Sequence, residues 1–197
     1  EKIEKKIKNF LNLNPNYKLI KNTKNSYIAK LLSQGEIVAI AQGREEFGAR
    51  ALGNRSIIAD PSKLSSVKQI NETIKNRDFW MPFALTILDK EKNKFIHNKK
   101  NIDCSFMTIG FDTIKKNLDL IKAGTHPYDN TVRPQFLKKE HNLNYYNLID
   151  AFHKQTGIPA LFNTSLNLHG FPISSLIEDV FHTFEKSGLK YLLIENR

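Results

Sequence analysis

Residues 42–56 set Arg44, Arg50 and Arg55 among Gly43, Gly48 and Gly53. Glycine lets backbone approach a ligand closely, and a guanidinium offers a planar fork matched to phosphate or carboxylate oxygens. On composition alone two readings stay open: an anion site, or a tight loop whose arginines pair with Glu45 and Glu46. A second set, residues 74–83, places Lys75 and Arg77 two apart at the end of a helix. Extended backbone there would turn both cations to one face, as a triphosphate or acyl phosphate requires. An isolated pair could equally serve as C-terminal charges stabilised by the helix dipole.

Two further clusters follow. His126 and Pro127 precede Asp129, Asn130, Thr131, Arg133 and Gln135, a mixture of carboxylate, hydroxyl, guanidinium and amide that reads as a turn before a strand. Residues 162–173 carry Asn163, Ser165, Asn167 and His169 after a short apolar run. Their small polar side chains could clamp phosphates or ribose hydroxyls, or simply build a turn-rich loop. The six histidines show no metal-ligand spacing, so no protein metal site is expected. His97, His141 and His182 read as surface or helix-face residues, whereas His126 and His169 are candidates for phosphate contact. Cys104 stands alone, which excludes an internal disulfide and suits a buried, inert thiol in a reducing cytoplasm.

The elements that must carry these groups can be read from periodicity. Ile3, Ile7, Phe10 and Leu11 recur at helical spacing, and Asn14, Pro15 and Asn16 end that helix. Residues 26–33 predict a second helix, and 36–41 a buried strand leading straight into the arginine-rich stretch. Further strands are expected at 55–59, 83–88, 106–111, 132–137, 160–162 and 189–194. Val67, Ile70 and Ile74 share one helical face, and helices are expected over 144–155 and 175–186. Residues 89–103 hold five lysines and three asparagines and read as a solvated helix or loop. Strands and helices intermingle, which predicts an α/β class with a twisted mixed sheet and flanking helices.

The chain has 197 residues, 40% hydrophobic and 25% charged, enough for one substantial globular domain. No apolar run approaches the roughly 20 residues that cross a bilayer, so no membrane association is expected. The N-terminal stretch lacks a secretory h-region and an initiator Met, and the chain reads as a piece of something longer. Thirty Lys and Arg against 20 Asp and Glu give a net charge of +10. That favours anionic partners, from nucleotides to nucleic acid. Because the phenylalanines fall at core spacings, the aromatic-plus-basic pattern of a single-strand nucleic-acid binder is weak, and nucleic acid is not the expected partner.

Taken in order, these clusters resemble one family. Gly43, Arg44, Glu46, Phe47, Gly48, Arg50, Ala51, Leu52, Gly53, Asn54, Arg55 and Ser56 match the G-R-x-E-[FW]-G-P-R-A-L-G-N-R-S hallmark of the carbamoyltransferase C-terminal domain. That family includes nodulation, cephamycin and tobramycin carbamoyltransferases. Asn71, Ile74, Lys75, Arg77, Pro82, Phe83 and Ala84 match its next motif, with Met81 where an Arg is usual; Ala49 stands where the first has Pro. Thr131, Arg133 and Gln135 follow, with Asn130 in the place of a Gly, a substitution that a left-handed backbone accepts. Asn163, Thr164, Ser165, Asn167, Gly170, Pro172 and Ile173 complete the series.

The resemblance implies a YrdC-like fold, shared with threonylcarbamoyl-adenylate synthases, over residues 35–197, with 1–34 as a helical segment packing on it. Lys75-x-Arg77 and Ser165-x-Asn167 look like the K-x-R and S-x-N signatures of those enzymes. It implies binding of ATP, with Mg²⁺, and of carbamoyl phosphate in a basic cleft, and formation of carbamoyl adenylate. Lys75, Arg77 and Arg50 would then be catalytic, and Arg44, Arg55, Ser56, Arg133, Asn163, Ser165 and Asn167 would bind the substrates. An N-terminal domain of the actin-like ATPase class, outside this chain, would hold any iron or other metal and pass the carbamoyl group to a sugar or other small acceptor. Two rival readings remain: a basic RNA-binding module, and a degenerate domain kept for packing.

Overall fold

The computed structural model describes residues 2–76, 78 and 81–195. Six strands among them form one mixed sheet: β1 (Val38–Ala41), β2 (Arg55–Ala59), β3 (Ala84–Leu88), β4 (Pro134–Leu137), β5 (Ala160–Ser165) and β6 (Tyr191–Ile194). Their spatial order is β4-β3-β5-β2-β1-β6. β1 runs antiparallel to β2 and parallel to β6, β5 runs antiparallel to β2 and β3, and β3 is parallel to β4. Near-continuous burial of β1 to β5 reflects cover on both faces, which is why these segments read as apolar runs rather than alternating ones.

Five α-helices supply that cover. α2 (Asn25–Ser33) packs on α4 (Leu143–Thr156), and Leu32, Leu148, Ile149 and Phe152 join Ile40, Ile58 and Leu161 in one core layer. The opposite layer gathers Ala39, Ile57 and Phe162 with Ile70 of α3 (Leu64–Ile70) and Val180 and Phe184 of α5 (Ile177–Ser187). α1 (Lys2–Leu13) lies on α5: Phe10 stacks on Phe181 with ring centroids 4.2 Å apart, and Lys6 pairs with Glu178 at 2.6 Å. Local chemistry fixes the helix ends. The Asn142 side chain caps the Tyr145 amide of α4 at 3.0 Å, and Gly157 and Gly188 close α4 and α5 with left-handed backbone.

Two expectations need correction. Residues 106–111 form no strand: Met107 takes φ +56°, which breaks an extended run, and Phe111 makes only an isolated bridge to Val132. β5 is longer than the expected 160–162, because Asn163, Thr164 and Ser165 continue the ladder to β2. Buried polar side chains lower the strand preference of a segment read alone, and here tertiary hydrogen bonds offset that. The register has a functional consequence. Ala41 lies opposite Arg55 and Ile194, Ser56 opposite Ser165, Ala84 opposite Asn163, and Leu85 opposite Pro134. All four sequence clusters therefore emerge at one edge of the sheet.

Candidate functional site

Lys75 reaches this edge from a single π-turn, Asn71–Lys75, that continues α3. Its defining bond runs from the Asn76 amide to the Asn71 carbonyl at 2.7 Å, and Asn76 then takes φ +41°. The wider turn carries Lys75 inward, so that the residue is only 2% exposed. Its ammonium donates to the Ser165 carbonyl at 2.7 Å, Ser165 Oγ at 3.2 Å, the Asn167 carbonyl at 3.0 Å and Asn167 Oδ1 at 2.6 Å. Ser165 Oγ also donates to Asn167 Oδ1 at 2.6 Å, and Asn167 Nδ2 to the Phe171 carbonyl at 2.6 Å. His169 braces the turn, its amide on the Ile74 carbonyl at 3.0 Å and its Nδ1 2.7 Å from the Lys75 carbonyl. Arg77 lies outside the described residues.

The arginine-rich loop is built around Glu46. Its Oε1 accepts the amides of Leu52, Asn54 and Arg55 at 2.7, 2.7 and 3.2 Å. Among the described residues none of Arg44, Arg50, Arg55 and Arg133 forms an ion pair, so the pairing with Glu45 or Glu46 left open by composition is not what holds the loop. Arg55 turns into the loop and donates to the carbonyls of Gln42, Asn54 and Gly43 at 3.0, 3.1 and 3.3 Å. Ser56 is fully buried, its Oγ accepting the Gly53 amide at 3.0 Å. Arg44 and Arg50 are exposed. Gly53 is required by contact as well as by its φ of +109°, since a Cβ there would fall 2.1 Å from Cδ1 of Tyr145.

Arg133 stands half-buried just before β4. Desolvation depresses its guanidinium pKa, and the opposing charge of Arg50 depresses it further. A half-buried guanidinium that feels a second like charge would be stabilised by an anion. Below them, Asn163 Nδ2 donates to the Ala51 carbonyl and to Thr86 Oγ1, both at 3.0 Å. Thr86 Oγ1 donates to Gln135 Oε1 at 2.8 Å, and Gln135 Nε2 to the Leu52 carbonyl at 3.2 Å. Asn163 is thus a buried strut rather than an exposed ligand group. Beside Arg133, Asn130 takes φ +59°, the left-handed backbone expected of it, in a turn that Asp129 closes through Thr131. Hydrogen bonds from the Thr131 amide and hydroxyl, together with the nearby His126, hold the Asp129 carboxyl below its ordinary pKa.

The sequence clusters therefore resolve into two neighbouring groups, Lys75–Ser165–Asn167 and Arg50–Arg133, on one sheet edge. Thr86 and Tyr145 were not anticipated as part of it, and Gln135, noted in the third cluster, was given no role. A single polar residue inside each otherwise apolar strand was the available signal, in Thr86 and Gln135. Among the described residues no three His, Cys, Asp or Glu side chains converge as metal ligands. Two surface hollows, of about 380 and 540 Å³, lie around α2 and α4 and are lined by none of the site residues. No helix of the described residues is long and apolar enough to cross a membrane.

Comparison with known proteins matches these clusters to a family. A profile described as "Carbamoyltransferase C-terminus" covers residues 29–197. The chain belongs to that family. Within it, nodulation protein NolNO of Sinorhizobium fredii is 36% identical over 86% of this chain and 25% of its own length. A 3'-hydroxymethylcephem-O-carbamoyltransferase of Amycolatopsis lactamdurans is 31% identical over 83% of this chain and 30% of its own. The chain spans about a quarter to a third of the curated relatives it matches. In fold, the family domain resembles full-length HypF, solved in a phosphate- and nucleotide-bound form (TM-score 0.63, 19% identity, 89% of this chain and 25% of that one). It also resembles P. abyssi Sua5 (TM-score 0.61, 17% identity, 90% of this chain and 50% of that one). The YrdC-like α/β fold inferred from the motifs is the fold observed.

Proposed function

We propose that this domain binds ATP and carbamoyl phosphate and forms carbamoyl adenylate, which an N-terminal domain of the full-length protein transfers to a hydroxyl of a sugar or other small acceptor. The observation that carries this reading is the convergence of Lys75 on Ser165 and Asn167, at the sheet edge where the arginine-rich loop and Arg133 also emerge. Membership of a carbamoyltransferase family supplies the carbamoyl group, and the phosphate- and nucleotide-bound form in which HypF was solved is consistent with a nucleotide cleft on this fold.

Carbamoyl phosphate has no free carboxylate oxygen, so its phosphate must first pass to water, giving carbamate and inorganic phosphate. A carbamate oxygen then attacks the α-phosphorus of ATP, the bond to the bridging oxygen breaks, and pyrophosphate leaves. Positioning and offset of developing negative charge are what such a displacement needs. Arg50 and Arg133 suit the departing phosphate groups. Lys75 suits an oxygen on the α-phosphorus, and Asn167 and Ser165 aim its ammonium. Mg²⁺ enters with the nucleotide.

Calorimetry of the chain with ATP–Mg²⁺ tests the reading, followed by an assay for pyrophosphate release that depends on carbamoyl phosphate. Binding and release are expected. Absence of nucleotide binding would overturn it.

A further inference from the structure

Three buried side chains on adjacent strands form a hydrogen-bond chain of fixed direction. Asn163 Nδ2 donates to Thr86 Oγ1 at 3.0 Å, Thr86 to Gln135 Oε1 at 2.8 Å, and Gln135 Nε2 to the Leu52 carbonyl at 3.2 Å. The second hydrogen of Asn163 Nδ2 goes to the Ala51 carbonyl at 3.0 Å. Both ends of the chain thus finish on consecutive carbonyls of the arginine-rich loop. A carbonyl can only accept, so both amide groups must point their NH₂ at the loop, and the single hydroxyl hydrogen of Thr86 must complete the path. Thr86, Gln135 and Asn163 are 0%, 3% and 1% exposed, which strengthens these bonds and makes each broken one costly.

What the chain joins is more telling than the chain itself. Gln135 lies two residues beyond Arg133, and Leu52 two residues beyond Arg50. Asn163 lies two residues before Ser165. Asn163 and Ser165 both lie in β5, where period two keeps such pairs on one face, Arg133 directly precedes β4, and Arg50 and Leu52 share the arginine-rich loop. The loop that carries Arg50, the strand that follows Arg133 and the strand that ends at Ser165 are therefore tied through the same three side chains. None of them has a surface from which to touch a ligand.

We propose that Thr86, Gln135 and Asn163 are positioning residues that hold the arginine-rich loop, with Arg50, on the strands that follow Arg133 and precede Ser165, so that Arg50 and Arg133 serve one phosphate group. This rests on the functional reading above only in naming the phosphate as that of carbamoyl phosphate or the nucleotide. Without the Gln135 link, the loop that carries Arg50 is released from β4, and the anion site is lost while the sheet remains.

The test uses inorganic pyrophosphate as the probe, with carbamoyl phosphate in parallel, on the intact chain. Gln135→Met keeps volume and removes both bonds; Thr86→Val and Thr86→Ser remove and keep the central hydroxyl. In the native background Arg133→Ala should weaken pyrophosphate binding by on the order of 30-fold, and in the Gln135→Met background by no more than about 3-fold, the non-additivity that a shared site gives. Thr86→Ser should bind nearly as the native chain and Thr86→Val poorly, with Gln135→Met melting below the native chain but still folded at the assay temperature. Equal costs of Arg133→Ala in both backgrounds would overturn the inference, whatever the melting behaviour. Should Gln135→Met fail to fold, the Thr86→Ser and Thr86→Val pair decides, because equal binding by the two also overturns it. Binding of pyrophosphate with the expected coupling, but none of carbamoyl phosphate, would leave the inference standing and sink the functional reading. No binding of either probe by the native chain sinks both.

Discussion

The ammonium of Lys75 lies 2.6 Å from Oδ1 of Asn167, which is 92 residues further along the chain. A π-turn on one side and the end of a central strand on the other bring these two sequence motifs into one cluster. Neither motif has the geometry alone. The cluster fixes the direction of a buried cation that has few rotamers left to lose when a substrate arrives.

Lys75→Met should therefore reduce affinity for ATP–Mg²⁺ by on the order of 100-fold, the loss of a charge-assisted contact of about 2–3 kcal/mol. Lys75→Arg should fail to restore it, because the four oxygens converge on a compact ammonium rather than a planar fork. Calorimetry on folded variants, verified by circular dichroism, measures both.

Glu46 offers a second test. One carboxylate oxygen collects three backbone amides, so it organises the loop that presents Arg50. Glu46→Ala should speed hydrogen exchange at the amides of Leu52, Asn54 and Arg55 while leaving the amides of β5 protected. Loss of about 1–3 kcal/mol of local stability is expected from the orphaned donors. Uniform exchange rates in the loop of native and variant proteins would contradict the assignment.

Gly53 and Gly48 separate backbone strain from contact. Both have positive φ, +109° and +125°, but a Cβ on Gly48 meets nothing within 4 Å, whereas on Gly53 it would collide with Tyr145. Gly48→Ala should cost about 1–2 kcal/mol from conformation alone. Gly53→Ala adds a collision with the ring of a fully buried residue and should cost about 3 kcal/mol or more. Denaturant titrations of the two variants give the difference directly.

Much of this was legible in the sequence, and the exceptions share a cause. The family resemblance linked Lys75 with Ser165 and Asn167 through the order of their motifs, which composition alone had left open. Strands β1 and β2 were legible as β-branched or apolar runs bounded by the arginine loop. Thr86, Gln135 and Asn163 were harder, since each belongs to a different strand and their meaning appears only when the register places them side by side. Arg55 was grouped with the exposed arginines because its type is the same; its use, on three loop carbonyls, depends on a turn that composition does not encode. The expected strand at 106–111 failed on one backbone angle, at Met107.

Tyr145 predicts a pH effect. Complete burial pushes its phenol above the ordinary 10.0, with the Thr86 hydroxyl offsetting only part of the rise. Above that pH the unfolded chain loses this proton while the folded chain keeps it, so stability falls as pH increases through the region, by up to about 1.4 kcal/mol per unit. Below pH 10 the contribution is fully present. Tyr145→Phe should flatten the difference in alkaline stability, measured as urea midpoints from pH 9 to 11.5.

Arg133 gives the most discriminating sign. Its guanidinium is partly desolvated and feels the like charge of Arg50, and both effects oppose its charge in the absence of a ligand. Solvent screens a half-exposed group, so the penalty is modest, on the order of 0.5 kcal/mol. Arg133→Met should then leave the ligand-free chain as stable as the native protein or slightly more so. Ligand linkage points the other way. An anion bound at 100 times its dissociation constant stabilises the native chain by about 2.7 kcal/mol, and the variant should lose most of that. Melting curves with and without pyrophosphate would show the two lines crossing: variant equal or higher without the anion, native higher with it. A variant that melts lower in both conditions by the same margin would mean that Arg133 is a structural residue and that the anion site lies elsewhere.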